Sequence, residues 1–512
     1  MTDHFLHTDL ERSAREWGEK SALLTPVGQI SYTELNRQVQ ALAAAFAELG
    51  FTAGERIAIL GHNSADYIVW HYATARAGLI LHVLNTRLVH DELAWMINNA
   101  DSSALVADSA HVAIARTLQN DCPSLRCLIG MSGEGTLEHN TSDLIANAGP
   151  TDCVRPKADT AALMIYTSGT TGRPKGALQT HSGSCAADRL TRDAVEITES
   201  DVYLALMPFF HQAGLIRTRA TLLAGGCCVI PGRTTIEQTG ELIIEHGVTF
   251  TMLASAQHYS AIMQKALAEG PQAFRGLRML LGAGGMGERS VATIKKVREA
   301  LDCQFFGVYG QTETTGTVVS VCGDDVYARP DSCGKALPGI DIAIWASNAR
   351  VLPTGEVGEI MVRGPVTTCY WRNDEANKTL YTGRWLHTGD LGFLDEDGFL
   401  YLKGRSKELI KTGAENVYPR EVETVLELHP QVRDVAVIGV PDPDWGEVVC
   451  VAIVPTGEST PTLEDIRDYC RGKIAGYKLP RTMMIVADIP RNHTGKILRR
   501  DLVRQHLPGA VL

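Results

Sequence analysis

The stretch AALMIYTSGTTGRPKGA (residues 161–177) joins an apolar run to a loop rich in glycine, hydroxyl-bearing and cationic residues. The apolar half predicts a buried strand, and the second half predicts a loop at the carboxyl end of that strand. Glycines let backbone N–H groups approach an anion closely, while hydroxyls and cations supply further donors. Because ligands of open α/β sheets bind at the carboxyl ends of strands, we expect this loop to hold phosphate groups.

A Walker A loop is one alternative for this stretch, and a plain surface loop is another. The Walker A pattern places Ser or Thr directly after its lysine, where the hydroxyl binds Mg²⁺. Here Gly176 follows Lys175, and Arg173 and Pro174 separate that lysine from Gly172. The stretch therefore does not match Walker A, and its composition alone leaves the surface-loop alternative open.

Length and composition exclude several classes of protein. The chain has 512 residues, of which 45% are hydrophobic and 21% charged, which is typical of a globular protein of two or three domains. A net charge of −11 without a long basic run argues against a nucleic-acid partner. Twelve cysteines without a C-x-x-C pair favour reduced thiols in a cytoplasmic enzyme. We find neither a signal peptide nor a transmembrane segment, and a homodimer is left open.

The chain alternates apolar runs with helical patterns, which predicts a large α/β domain of parallel subdomains over residues 1–404. Residues 405–512 predict a small, mobile α+β domain, with a hinge near Lys407. Around this boundary, the pairs Asp397-Gly398 and Lys403-Gly404 predict turns between short strands.

Five further motifs accompany the glycine-rich loop YTSGTTGRPKG (166–176). They are PFFHQAG (208–214), YGQTET (309–314), TGD (388–390), KGRSKE (403–408) and PRNHTGKILRR (490–500). In this order and spacing the six resemble the core motifs of the adenylate-forming superfamily, which includes acyl-CoA and aryl-CoA synthetases, firefly-type luciferases and peptide-synthetase adenylation domains. The resemblance implies that a carboxylate attacks the α-phosphorus of ATP to form an acyl adenylate, and that the thiol of coenzyme A (CoA) then displaces AMP.

The resemblance also implies roles for individual residues at the nucleotide. Those expected to hold the β- and γ-phosphates are Thr167, Ser168, Gly169, Thr170, Thr171, Gly172 and Lys175. Glu313 resembles the Mg²⁺ ligand, Thr312 would reach the α-phosphate, and Tyr309 would stack on adenine. Asp390 would accept from both ribose hydroxyls, as a carboxylate can, with Arg405 as the second ribose contact. The remaining nucleotide-site residues are Gly284, Gly285, Gly310 and Gln311.

Lys496 resembles the catalytic lysine that bridges the attacking carboxylate and the α-phosphate; the alternative is a solvated charge near the C-terminus. Because Lys496 lies in the small domain, the family's domain rotation at Lys407 is expected to follow adenylation. Gly413 and Trp445 would then contact CoA.

His211 occupies about the position where amino-acid-activating relatives carry an aspartate, which favours an acid without an α-amino group. It is either a gate or structural residue or a direct contact of the acyl group. Candidate pocket residues are small or apolar and fit an aliphatic, aryl or polycyclic acid: Ser255, Ala256, Gly307, Val308 and Thr317.

Arg217 and Arg219 lie on an otherwise apolar predicted helix, AGLIRTRATLLAGG (213–226). They predict an interface or a salt bridge, or else a counter-ion for a second carboxylate or a CoA phosphate. For the whole protein, the leading prediction is an AMP-forming acid–CoA ligase that uses ATP and Mg²⁺. A stand-alone adenylating enzyme that loads a carrier-protein thiol or an amine, and a non-catalytic acyl- or nucleotide-binding protein, are the alternatives.

Overall fold

The computed structural model describes residues 5–131, 137–149, 156–167, 174–253, 255–285, 287–365, 368–405, 408–412, 415–457, 459–491 and 497–506. The α-helices in these ranges are α1 Leu6–Trp17, α2 Tyr32–Glu48, α3 Ala65–Arg76, α4 His90–Ala100, α5 Val112–Asp121, α6 Thr141–Asn147, α7 His181–Val195, α8 Gln212–Leu223, α9 Thr239–Glu245, α10 Ala256–Glu269, α11 Glu288–Leu301, α12 Asp325–Ala328, α13 Asp374–Lys378, α14 Pro419–Leu426, α15 Leu463–Cys470 and α16 Arg499–His506.

The strands in the same ranges are β1 Ser21–Thr25, β2 Gly28–Ser31, β3 Arg56–Leu60, β4 Ile80–Val83, β5 Ser102–Ala107, β6 Cys127–Gly130, β7 His139–Asn140, β8 Ala161–Thr167, β9 Lys175–Thr180, β10 Val202–Leu204, β11 Cys227–Val229, β12 Phe250–Met252, β13 Met279–Ala283, β14 Gln304–Gln311, β15 Gly316–Cys322, β16 Ser332–Ala336, β17 Asp341–Trp345, β18 Gly358–Arg363, β19 Thr368–Tyr370, β20 Tyr381–Thr382, β21 Trp385–Leu394, β22 Leu400–Arg405, β23 Ile410–Thr412, β24 Glu415–Val417, β25 Val432–Asp442, β26 Gly446–Pro455 and β27 Thr482–Ile485.

One sheet of the large domain has the strand order β19-β9-β8-β4-β3-β5-β6-β7, and its strands from β8 to β7 run parallel. Local signals position the crossover helix α3, because the Ser64 hydroxyl accepts from the backbone N–H of Tyr67 at its N-terminus. Gly78, at φ +71°, follows its last turn. This sheet confirms the predicted α/β class.

The second sheet is only partly parallel. Its strands β1, β11, β10, β12, β13 and β14 are parallel neighbours, but β15, β16, β22, β21, β18 and β17 continue the sheet as antiparallel strands. The prediction of parallel subdomains was therefore wrong for this half. The reason is the short connections: five residues around Gly398, at φ +80°, join β21 to β22, and a parallel crossover needs a dozen or more. The predicted turn at Lys403-Gly404 was also wrong, since Gly404 stays within β22 at φ +141°.

The small domain packs helices against a sheet of order β24-β23-β26-β25, with β27 parallel to β26. Its core buries one face of α14 and α15 against the sheet, with Val422, Ile466, Val437 and Val451 fully buried. This arrangement confirms the α+β class predicted for it.

Two findings bear on the environment of the chain. The eleven cysteines within the described ranges are free thiols, and nine of them are buried. Among the helices that the structure describes, none has the length and apolar character needed to cross a membrane.

Candidate active site

A buried carboxylate, Asp390, lies at the centre of the predicted nucleotide site. β21 and β22 pair with Asp390 opposite Arg405, whose Nε lies 3.0 Å from Asp390 Oδ1. From β14, the Tyr309 hydroxyl donates to Asp390 Oδ2 at 2.9 Å, and Gln311 Nε2 donates to the same oxygen at 2.5 Å. Three strands thus bring four of the predicted residues together around one anionic group that is 5% exposed.

Tyr309 is held as a donor in this cluster. Burial, together with the neighbouring Asp390 carboxylate, raises the pKa of Tyr309, so the phenol stays protonated. Its hydroxyl is occupied by Asp390, which leaves the ring face for any contact with a base. Stacking of Tyr309 on adenine stays a prediction.

Glu313 lies on the turn between β14 and β15, facing the start of the glycine-rich loop. Its Oε1 accepts from the Tyr370 hydroxyl at 2.8 Å and from Thr167 Oγ1 at 3.3 Å. Lys175 Nζ lies 4.9 Å from the centroid of the same Tyr370 ring. The backbone carbonyl of the neighbouring Thr312 accepts from Gln179 Nε2 at 3.0 Å, which fixes this turn against β9.

Tyr370, which contacts both Glu313 and Lys175, was not predicted from the sequence. Tyr370 reaches the site because β19 pairs with β9, placing Tyr370 opposite Ala177. No local motif marks that long-range pairing, so the sequence offered no signal for it.

The glycine-rich loop joins two antiparallel strands, with Thr167 of β8 opposite Lys175 of β9. A Walker A loop leads into a helix, so the strand that follows here agrees with the rejection of that motif. The predicted phosphate-binding residues between the two strands lie outside the described residues: Ser168, Gly169, Thr170, Thr171 and Gly172.

Three predicted glycines occupy places that disfavour a side chain. At two of them it would collide with a neighbouring strand: a Cβ on Gly284 would lie 2.9 Å from Cys333 Cα, and one on Gly310 would lie 2.0 Å from the Gly316 carbonyl oxygen. The third, Gly285, has φ +66°, a conformation that favours glycine. Local structure therefore already accounts for these glycines, and their contact with a nucleotide stays a prediction.

The residues predicted to form the acyl pocket lie at the start of α8, before α10, and on β14 and β15. His211 precedes α8, and its Nδ1 accepts from the backbone N–H of Ala213 at 3.2 Å, so this histidine caps the helix. Gly307 and Thr317 are buried on β14 and β15, while Val308 is half-buried. Ser255 contacts His258, with 3.0 Å between Oγ and Nδ1.

The residues predicted to act from the small domain are less fully described. Lys496, Lys407 and Gly413 lie outside the described residues. Trp445 lies between β25 and β26, is 41% exposed, and has the Arg481 guanidinium 4.0 Å from its ring centroid.

The two arginines of α8 have different surroundings. Arg219 makes a buried salt bridge with Asp188 of α7, with its Nε 2.9 Å and 3.0 Å from the two carboxylate oxygens. Its side chain has no exposed area, which confirms the salt-bridge alternative for this residue and excludes a surface interface. Arg217 is also buried, at 2% exposed, but its Nη1 donates to the backbone carbonyl of Ala213 at 3.0 Å.

Comparison with known families gives the class of the protein. Residues 10–371 match the family described as AMP-binding enzyme, and residues 421–496 match the AMP-binding enzyme C-terminal domain. The chain therefore belongs to the AMP-binding enzyme family, and the adenylate-forming class predicted from the six motifs is confirmed.

Individual relatives resemble the chain over nearly its whole length. The 2-succinylbenzoate–CoA ligase of Geobacillus sp. (strain WCH70) is 31% identical over 509 residues, covering 98% of this chain and 99% of the relative. The Bacillus subtilis o-succinylbenzoate CoA synthetase, solved with its acyl-adenylate intermediate, is 28% identical with a TM-score of 0.83, covering 96% and 97% of the two chains. The Marinactinospora thermotolerans amide bond synthetase McbA is 28% identical with a TM-score of 0.87, covering 98% and 100%. The chain is thus an AMP-forming ligase in fold and class.

Proposed function

We propose that the protein activates a carboxylic acid with ATP and transfers the acyl group to the thiol of CoA, releasing pyrophosphate and then AMP. The observation that carries this proposal is the convergence of β14, β21 and β22 on Asp390, with Glu313 on the adjoining turn. A buried carboxylate suits the two hydroxyls of a ribose, and the neighbouring turn suits phosphates. The relatives named as CoA ligases support the same reaction.

In the proposed first half-reaction, an anionic carboxylate attacks the α-phosphorus of ATP, and pyrophosphate leaves with the bonding electrons. The main barrier is repulsion between anions, so the residues needed are cations and donors rather than a base. Lys175, at the start of β9, and Thr167, at the end of β8, would hold the β- and γ-phosphates, and Lys496 would bridge the two reacting groups. Thr312 would donate to the α-phosphate.

The carboxylate of Glu313 fits a Mg²⁺ ion, since its Oε1 is oriented by Tyr370 and Thr167 and faces the phosphate-binding loop. A hard cation prefers one carboxylate with phosphate oxygens and water. When bound there, Mg²⁺ would neutralise negative charge on the phosphates.

A change of domain orientation between the half-reactions is the second part of the proposal. Its support is the change of ion-pair partner across the boundary: Arg405 binds Asp390 of the large domain, whereas Glu408 binds Arg499 of the small domain at 2.9 Å. The segment between them contains Lys407, the proposed hinge. Gly413 and Trp445 would then line the path of CoA.

A second candidate function is transfer of the acyl group to an amine or a carrier-protein thiol instead of CoA. The similarity to an amide bond synthetase over 98% of this chain favours keeping it. Both candidates share the acyl adenylate and differ only in the nucleophile that attacks its carbonyl carbon.

The test is to trap the adenylate and then vary the acceptor. Hydroxylamine added to enzyme, ATP and a panel of aliphatic and aryl acids should yield a hydroxamate with at least one acid, and AMP release should then rise with CoA. Release that rises with amines but not with CoA would select the second candidate. In Lys407→Pro, hydroxamate formation should persist while thioester formation stops; equal loss of both would contradict the hinge.

Two further parts of the proposal concern the state of the protein. A cytoplasmic location is supported by the eleven free cysteines of the described ranges. A homodimer, left open by the sequence, stays a prediction that light scattering of the purified protein would check.

A further inference from the structure

Arg217 is a buried cation whose charge has no counter-ion among the described residues. The side chain extends from α8, and Nη1 donates to the Ala213 carbonyl one turn earlier. Its Nε has no hydrogen-bond partner, and no described carboxylate lies within ion-pair distance. A guanidinium removed from water without an anion is strongly unfavourable, so a partner is expected from outside the described protein groups.

Arg219, two residues along the same helix, shows how this fold treats an arginine that serves only structure. There, burial acts to lower the pKa of Arg219, but Asp188, with smaller contributions from Tyr72 and Cys185, raises it overall. At Arg217, burial lowers the pKa of the guanidinium, and only the Tyr203 phenol, not a carboxylate, opposes that effect. Both arginines are buried on α8, but only Arg219 has a carboxylate partner among the described residues.

The guanidinium of Arg217 lies near a residue predicted to contact the acyl group, His211. Because Arg217 folds back to Ala213, its guanidinium lies toward the N-terminal end of α8, which His211 caps. Both His211 and Ala213 are half-buried, so this end of the helix is partly accessible.

The sheet opposite α8 supplies a second unused donor. The hydroxyl of Tyr203 on β10 is fully buried and has no hydrogen-bond partner in the described structure, and this phenol interacts electrostatically with Arg217. Its ring stacks on Phe250 at 4.9 Å between centroids. Two residues that pack against the same core cluster, Met252 at the end of β12 and Val308 within β14, are only half-buried. The predicted acyl contact Val308 therefore packs against the same core cluster that contains Tyr203.

We propose that Arg217 binds a second carboxylate of the acid substrate, so that the enzyme activates one end of a dicarboxylic acid. This inference rests on the proposed function. The Tyr203 hydroxyl is the second donor to that carboxylate, while the first carboxylate of the acid reacts at ATP. A CoA phosphate is the less suitable anion, because a doubly charged group would need more than one cation at a site that is 2% exposed.

The test compares acids of one skeleton with one or two carboxylates: pentanoate with glutarate, hexanoate with adipate, and 3-phenylpropanoate with its 2-carboxy derivative. Acid-dependent AMP release gives kcat/KM for each. We expect the wild-type enzyme to prefer the diacid at least tenfold in one pair or more. In Arg217→Met that preference should fall about tenfold or more, with most of the change in KM for the diacid, since a buried charge pair is lost. Arg217→Lys should restore part of it.

A binding readout keeps this test independent of turnover. The preferred diacid should raise the thermal midpoint of the wild-type enzyme more than its monoacid does, and this difference should vanish in Arg217→Met. The midpoint of the ligand-free variant should equal or exceed that of the wild type, because a buried unpaired charge has been removed.

Three results would overturn the inference while leaving the proposed function intact. They are a wild-type enzyme that adenylates monoacids but prefers no diacid, an Arg217→Met variant that loses both members of a pair equally, and a rise confined to KM for CoA. The absence of a hydroxamate with every acid would instead contradict the proposed function itself.

Discussion

The nucleotide side and the acyl side of the candidate site differ in how their charges are satisfied. Around Asp390, an arginine, a phenol and an amide already occupy the carboxylate before any ligand binds. On α8, Arg217 has no anion among the described residues. A preorganised cluster serves a ligand that is the same in every turnover, whereas an unpaired charge is matched only by one class of acid. The nucleotide side therefore carries out the chemistry common to every substrate, and the acyl side determines which acid is accepted.

The largest effect is expected on stability, when the buried Arg219–Asp188 salt bridge of the acyl side is broken. Arg219→Met leaves Asp188 buried without a cation, which should lower the free energy of unfolding by about 3 kcal/mol or more. Guanidinium chloride unfolding measures it, with Arg217→Met as the matched control. Equal destabilisation by both substitutions would remove the distinction between the two arginines.

The nucleotide side should respond through catalysis. Asp390→Asn keeps the shape but weakens three charge-assisted contacts, so acid-dependent pyrophosphate exchange should fall about 100-fold, largely through KM for ATP. Initial-rate exchange at varied ATP checks this. A variant that changes KM for the acid alone would show that Asp390 acts on the acyl side and not at the nucleotide.

Tyr370 should have a smaller effect on the same side. Tyr370→Phe removes the hydrogen bond that orients Glu313, so kcat for adenylation should fall about tenfold, and the Mg²⁺ concentration needed for half-maximal rate should rise. Tyr401→Phe is the control, because that hydroxyl bonds Asp395 away from the site. Similar losses in both variants would argue against a role at Glu313.

The smallest effect concerns pH and stability. Burial lowers the pKa of His82 and His181 to about 3 from an ordinary value of 6.5. Below pH 6.5 the unfolded chain binds protons that the folded chain excludes, so stability is lost as pH falls from 6.5 toward 3. Each histidine should contribute about 1 kcal/mol of that loss between pH 6.5 and 5.5. Unfolding of His82→Gln at the two pH values should show a shallower decline; an unchanged decline would contradict the assignment.

The sequence predicted what is encoded locally. The strand before the glycine-rich loop was predicted from a short stretch, and short motifs singled out Asp390 and Arg405. Sequence did not predict features that depend on pairing across the chain. Tyr370 reaches Glu313 only through the β9–β19 pairing. The antiparallel half of the second sheet depends on turns that no single residue predicts.

The two arginines of α8 show this limit most directly. Their sequence context is nearly the same, and both are buried. Only the packing of α7 against α8 supplies Asp188 to one of them, 31 residues away in the chain. That Arg217 has no anion among the described residues therefore follows from tertiary packing, and the proposal of a dicarboxylic acid substrate rests on it.

Adenylation by this protein is tested by pyrophosphate exchange into ATP without CoA. In the wild type, exchange should depend on the acid, and in Lys496→Gln it should fall about 100-fold because one transition-state charge contact is removed. Exchange that does not depend on the acid, or that is undiminished in Lys496→Gln, would show that the protein does not form an acyl adenylate in the proposed way.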